Sequence, residues 1–223
     1  MKKTLSIAIA MAVAGISPFA SAEDNMGLEF SANVALTSNY VFRGISESDE
    51  NASVSGGFDV AHSSGIYAGV WGASVEGYSD ASMELDYYIG WGGEVGPVGL
   101  DVGVLQYTYP GHTSPDPDTT EWHVGVSKDV GIVSLGLTYY YSDDFYNAGD
   151  NDYWDLSAEV PVGDFTLAAH YGSTDRDDGT DYEDWSLGVS TELAGFGIDL
   201  TFTDTDGLGT DEDYAFLTVS KSL

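Results

Sequence analysis

Glu121-Trp-His-Val-Gly-Val-Ser127 and Asp184-Trp-Ser-Leu-Gly-Val-Ser190 follow one rule. In the first, Trp122, Val124 and Val126 fall on one side, against Glu121, His123, Gly125 and Ser127. In the second, Trp185, Leu187 and Val189 oppose Asp184, Ser186, Gly188 and Ser190. A period of two belongs to an extended strand whose successive side chains point to opposite faces. Outward from these two stretches the alternation continues through twelve segments, at 28–44, 52–61, 66–74, 83–91, 98–109, 121–127, 132–141, 152–160, 165–171, 184–192, 198–203 and 214–223, with no helix-period stretch between them. The segment 66–74 is apolar on both faces, so its sides cannot be assigned from sequence.

The connections are of two kinds that never exchange places. Tight turns follow the even segments, at 62–65, 92–97, 128–131, 161–164 and 193–197. Longer stretches follow the odd ones, at 45–51, 75–82, 110–120, 142–151, 172–183 and 204–213, and these hold 20 of the 37 Asp and Glu residues. Short turns at one end and long polar loops at the other are the pattern of a barrel standing in the outer membrane. The expected fold is therefore all-β: an antiparallel up-and-down transmembrane barrel of about 12 strands, with both termini in the periplasm. A soluble sandwich has no need for two ends this different.

The N-terminus agrees with export. Lys2 and Lys3, the apolar run from Leu5 to Gly15 and the small residues Ala20-Ser21-Ala22 read as a signal peptide, residues 1–22, cleaved after Ala22. Residues 23–223 then form one barrel domain, expected in the bacterial outer membrane. There is no cysteine, hence no disulfide framework and no thiolate metal site. Beyond residue 22, four Lys and Arg face 37 Asp and Glu, a charge that excludes nucleic acid as a partner.

Aromatic residues recur near the start of alternate strands: Tyr87, Trp122, Trp154, Trp185 and Tyr214. Their spacing of about one hairpin suits a girdle at the lipid headgroups. Lys128 and Lys221 fall on the lipid-facing parity at the opposite rim, where a long stem can stay apolar while the ammonium reaches the headgroups. The inward parity collects Glu29, Asp59, Glu84, Asp86, Asp101, Glu121, Asp155, Glu159, Asp184, Glu192 and Asp199, with Arg43 as the one inward base. Carboxylates lining a pore concentrate cations and repel anions. The expectation is a narrow, cation-preferring channel for small cationic or neutral solutes, lined by Arg43, Asp59, Glu84, Asp86, Asp101, Glu121, Asp155, Glu159 and Asp199. The alternative is an occluded structural or surface-recognition barrel, whose acidic loops reach lipopolysaccharide through divalent cations.

Catalysis is not expected. Of the histidines His62, His112, His123 and His170, the last two face inward, and no serine motif marks a nucleophile beside them. No cofactor is expected. The acidic stretch Asp175-Arg-Asp-Asp-Gly-Thr-Asp-Tyr-Glu-Asp184 departs from the helix-loop-helix calcium pattern, since aligning its Gly179 puts Thr174 and Arg176 at ligand positions, and so no dedicated metal site is expected.

Ser38-Asn-Tyr-Val-Phe-Arg-Gly-Ile-Ser46 carries a resemblance, joined by Gly56-Gly-Phe-Asp-Val-Ala-His62, Gly65-Ile-Tyr-Ala-Gly-Val-Trp71, Glu84-Leu-Asp-Tyr-Tyr-Ile-Gly-Trp91 and Val102-Gly-Val-Leu-Gln-Tyr-Thr-Tyr-Pro-Gly111. Across nearly all of 23–223 the chain resembles the TorF-like family, proteobacterial proteins grouped as porins and formerly catalogued as a conserved hypothetical family. The resemblance implies an outer-membrane location and a pore, and brings no substrate and no catalytic residues. One departure stands out. Outer-membrane barrels commonly end on an aromatic residue after alternating apolar positions that the barrel-assembly machinery reads. Here Lys221 interrupts that alternation and the last residue is Leu223.

Overall fold

Alternating segments without helical periodicity can satisfy their backbone groups only sideways, and in a bilayer every such group must be satisfied within the protein. The computed structural model, which describes residues 22–23, 27–76, 81–113, 117–209 and 213–223, does this by closing a sheet on itself. Twelve strands form the wall: β1 (Leu28–Thr37), β2 (Ser53–His62), β3 (Ile66–Ser74), β4 (Met83–Val95), β5 (Val98–Thr108), β6 (Thr119–Val130), β7 (Val133–Ser142), β8 (Asn151–Val162), β9 (Phe165–Arg176), β10 (Tyr182–Leu193), β11 (Phe196–Asp206) and β12 (Asp213–Ser222). Each pairs antiparallel with its chain neighbours. The seam is closed by β12 on β1, from Thr218 opposite Thr37 to Ser222 opposite Asn33. The twelve-strand antiparallel barrel expected from the alternation is the fold observed. The expected signal peptide lies outside the described residues except for Ala22, as do Asp80, Asp116, Asp211 and Glu212 of the long loops.

At one end the strands are joined by two-residue turns: 96–97, 131–132, 163–164 and 194–195. Gly131 and Gly163 each hold the first turn position at positive φ (70° and 65°), which suits a hairpin whose twist matches its strands. At the other end lie the long loops. The strands have 9 to 13 residues, enough to cross a bilayer when tilted.

The outward face is apolar. Phe30, Leu36, Phe58, Ile89, Leu156, Leu187 and Leu200 are all more than half exposed, an arrangement water would not tolerate and lipid does. Phe58 stands at mid-strand and is 70% exposed. Phe58→Arg is expected to cost about 2–4 kcal/mol. The measurement is the urea midpoint for unfolding from lipid vesicles, and an unchanged midpoint would show that this face does not meet hydrocarbon.

Three sequence expectations are corrected. The first strand does not run to residue 44 but ends at Thr37. Residues 38–52 turn into the barrel, where Val41–Phe42 and Ile45–Ser46 pair as a small hairpin. Arg43 and Gly44 at its tip have φ of 46° and 80°, which no wall strand adopts. Tyr214 is not a girdle residue, because its register opposite Thr203 puts it on the inward face with Phe216 and Thr218. Arg43 is not the only inward base, because β9 extends to Arg176, which shares the inward parity of Thr174 and lies opposite the buried Asn151. The ambiguous third strand is also settled: Tyr67, Gly69, Trp71 and Ala73 point inward.

Candidate functional site

The register places Glu29, Asp59, Glu84, Asp86, Asp101, Glu121, Asp155, Glu159, Asp184, Glu192 and Asp199 on the inward face. They divide into two tiers. Toward the long-loop end, Glu84, Asp86, Glu121, Asp155 and Asp184 are buried, none more than 3% exposed. Toward the tight-turn end, Glu29, Glu159 and Glu192 are exposed, and Asp59, Asp101 and Asp199 are half-buried. The inward acids are thus accessible toward one end of the barrel and buried toward the other.

The segment 38–52 packs at the buried end. Its backbone is satisfied largely from within: Glu47 N donates to Tyr40 O (2.7 Å), and Tyr40 N donates to Ser48 Oγ (2.9 Å). Asn39 Oδ1 accepts from both Ser46 Oγ (2.7 Å) and Ser48 Oγ (3.1 Å). Tyr40 and Phe42 pack with Trp71, Ala73, Leu105, Tyr107, Tyr109 and Phe145 in an apolar cluster inside the barrel. A Cβ on Gly44 would meet Thr205 Cγ2 at 2.3 Å, so the tip touches β11 as closely as backbone allows.

Arg43 anchors this segment to the far wall. Its Nη2 donates to Glu121 Oε1 (2.9 Å) and Oε2 (2.8 Å), and Tyr107 Oη donates to the same Oε2 (3.0 Å). The guanidinium carbon lies 3.9 Å from the Tyr153 ring centroid, 4.8 Å from Phe42, 5.1 Å from Tyr140 and 5.5 Å from Phe145. A cation enclosed by aromatic faces and one carboxylate is stabilised in its charged form. Even so, Nε and Nη1 are buried with no hydrogen-bond partner. Arg176, the second inward base, packs on Phe145 at 5.6 Å and lies 3.5 Å from Asp178.

Both inward histidines sit between acids and tyrosines. His170 contacts Asp155 through Nδ1 (3.2 Å) and Asp184 through Nε2 (2.7 Å), with Tyr153 Oη 3.1 Å from Nε2. His123 Nε2 lies 2.5 Å from Asp101 Oδ1, to which Tyr67 Oη also donates (3.1 Å). Tyr88 Oη donates to Asp59. The sequence reading assigns no role to these inward tyrosines or to Trp71, and it leaves the faces of 66–74 open. For two of them a glycine opposite is the available sign: a Cβ on Gly69 would collide with the Tyr88 ring, and one on Gly90 with Tyr67.

On the outward face, Tyr87, Trp122 and Trp154 are exposed at the long-loop end, and Trp185 packs against Phe202 with centroids 5.5 Å apart and planes tilted by 52°. Lys128 is exposed near the tight turns. Lys221 donates from Nζ to Gly195 O (2.5 Å) and lies 5.4 Å from the Phe196 centroid. That cap on a turn carbonyl explains why a lysine stands in the last strand. A second aromatic band at this end, with Trp91, Phe165 and Phe196, was not read from the sequence. His62 Nδ1 lies 2.7 Å from Ser64 Oγ in a tight turn, and His112 Nδ1 lies 2.9 Å from Tyr109 O. In the acidic loop, Thr180 donates to Asp178 through its hydroxyl and its backbone N–H, and these bonds hold that carboxyl below the usual carboxylate range. Among the described residues no three His, Asp or Glu side chains converge on a point that could hold a metal ion.

The arrangement is similar to solved outer-membrane porins. The KdgM porin aligns over 86% of this chain and 99% of its own, with a TM-score of 0.61 at 7% identity. A second KdgM structure, in complex with disordered oligogalacturonate, covers 87% and 98% with a TM-score of 0.59 at 6% identity. The NanC porin covers 86% and 97% with a TM-score of 0.57 at 10% identity. At such identities the likeness is one of fold. No curated protein matches the sequence. A family profile does, over residues 21–221, and by that match the chain belongs to the Gcw_chp family, bacterial proteins of unknown function.

Proposed function

We propose that the protein is a narrow outer-membrane channel for passive passage of small cationic or neutral solutes, with a preference for cations. One observation carries this reading: among the described residues thirteen wall carboxylates face the lumen, the eleven named above with Glu94 on β4 and Asp129 on β6, while Arg43 and Arg176 are each already beside a carboxylate. The accessible tier therefore keeps a negative field, which raises cation concentration at its mouth and depletes anions. The pore-lining set is Arg43, Asp59, Glu84, Asp86, Asp101, Glu121, Asp155, Glu159 and Asp199. The interface set is Tyr87, Trp122, Trp154, Trp185, Lys128 and Lys221. Porin fold, apolar exterior and the TorF-like resemblance support the location; a cleaved leader and passage through the barrel-assembly machinery belong to the same reading.

The fold does not bring a substrate with it. One KdgM structure is a complex with disordered oligogalacturonate, a polyanion. A lumen with this acid excess opposes a polyanion, so the proposed solutes are cationic or neutral.

The test is the reversal potential of the purified protein in a planar bilayer under a salt gradient, after heat-modifiable gel mobility has shown that the barrel is folded. Cation preference is the expected result, and anion preference sinks the proposal. A second reading, an occluded barrel whose acidic loops hold lipopolysaccharide through divalent cations, is favoured by the burial of Glu121 (0% exposed) and Arg43 (5%). It predicts no conductance, together with a melting temperature in lipopolysaccharide that magnesium raises and chelator lowers.

A further inference from the structure

We infer that residues 38–52 form an internal gate, held shut by the ion pair of Arg43 with Glu121. The inference rests on the channel reading and names how that channel is regulated.

Three features distinguish a gate from a fixed plug. First, the segment is a preformed unit. Its hairpin, the Glu47 N to Tyr40 O bond and the Ser48 hydroxyl on Tyr40 N hold its backbone, and Asn39 ties the Ser46 and Ser48 side chains together, so the tip can leave the far wall without losing its fold. A plug woven into the wall strands would have to unfold to move. Second, the tip is gripped at long range. Arg43 reaches from the β1–β2 connection across the lumen to Glu121 on β6, and the tip rests on Thr205 of β11. Withdrawing it removes Tyr40, Phe42 and Arg43 from the buried tier, where Phe145 and Tyr146 of the β7–β8 connection remain. Third, the grip is incompletely satisfied. A guanidinium offers five N–H donors, and here Nη2 serves both carboxylate oxygens while Nε and Nη1 go unpartnered. A buried pair whose desolvation is only partly repaid is held less firmly than its 2.8 Å contact suggests. Once the tip withdraws, water reaches both charges and recovers that deficit.

The other groups around the tip set the balance. Asp184 lies beside Gly44, and Asp155 and Asp184 are engaged by His170, which leaves Glu121 as the carboxylate that meets Arg43 directly. Glu121→Gln removes the charge while preserving shape. The closed state then buries a guanidinium with no carboxylate against it, whereas the open state solvates it. The open fraction is expected to rise by roughly a hundredfold, or to saturate if the wild type is already partly open.

The chain has no cysteine, so one engineered pair reports on the gate without background. A Cβ built on Gly44 lies 3.8 Å from Thr205 Cβ, which matches the Cβ separation of a disulfide. The experiment records single-channel conductance in planar bilayers for wild type, Glu121→Gln and the double variant Gly44→Cys/Thr205→Cys. The double variant is measured oxidised and then after reductant, and folding is checked by gel mobility. The expected result is long openings in Glu121→Gln, silence in the oxidised double variant and recovery on reduction. If the oxidised double variant conducts like wild type, segment 38–52 is not a gate, although the channel reading stands. Silence in every protein, including Glu121→Gln and the reduced double variant, overturns the channel reading and the gate with it.

Discussion

Replacing His170 with Leu is expected to destabilise the folded barrel by about 3–5 kcal/mol, the cost of leaving buried charges without their partner. One imidazole serves two carboxylates here, Asp155 at 3.2 Å through Nδ1 and Asp184 at 2.7 Å through Nε2. Both acids are out of water, at 3% and 1% exposure. Without the ring, two buried carboxylates lose their shared partner, and each must either protonate or draw in water. Tyr153, which donates to Asp184 Oδ2 at 3.1 Å, relieves only part of this. The loss should appear as a lower urea midpoint in lipid vesicles, with the gel-mobility shift of a closed barrel retained at low urea. Adding Asp155→Asn and Asp184→Asn to His170→Leu should recover most of the stability, since the unpaired charges are then gone. A single variant as stable as wild type would show that water already solvates this cluster.

The barrel itself was legible in the sequence because its determinants are local. Alternation in Glu121–Ser127 and Asp184–Ser190 set inward and outward faces, and the two classes of connection set strand direction. The eleven inward acids named from the sequence followed from parity alone, since a ladder cannot shift by one residue without turning every acid toward lipid. What failed was non-local. Residues 38–44 look extended, and extended backbone is what both a wall strand and an inward-folded hairpin use. The distinction lies in partners: β1 stops at Thr37 because Ser53 onward supplies its ladder, while Asn39, Ser46 and Ser48 supply side-chain bonds that let the chain turn. Arg43 followed by Gly44 was the local sign of a turn.

Tyr214 misled for a different reason. It keeps the roughly one-hairpin spacing of the aromatic row, but Leu217 and Val219 fix the outward parity of β12, and Tyr214 has the opposite parity. Spacing between strands carries no side information, whereas register does. The inward tyrosines Tyr67, Tyr88, Tyr107, Tyr140 and Tyr153 were hidden because a tyrosine suits either environment. Each ends its hydroxyl or its ring face on an acid, a histidine or Arg43.

The largest change in ion preference is expected from Asp59→Asn, Asp101→Asn and Asp199→Asn made together. These carboxylates stand on β2, β5 and β11 and are partly exposed, on the tight-turn side of the buried tier. A unit charge about 8 Å from a permeating ion in water is worth about 0.5 kcal/mol. Three such charges amount to about 1.5 kcal/mol, or roughly tenfold in local cation concentration. The cation-to-anion permeability ratio should fall by at least that factor at low salt. Asparagine can still accept from Tyr88, Tyr67 and Thr201, so the lumen keeps its shape. In 1 M salt the screening length shrinks to about 3 Å, and wild type and variant should converge. Equal reversal potentials at low salt would show that the accessible tier does not set selectivity. Because these residues lie away from the Arg43–Glu121 contact, neutralising them should change which ion passes and leave the open fraction as it was. Glu121→Gln should raise the open fraction, which the triple variant leaves alone, so dwell times tell the gate from the filter.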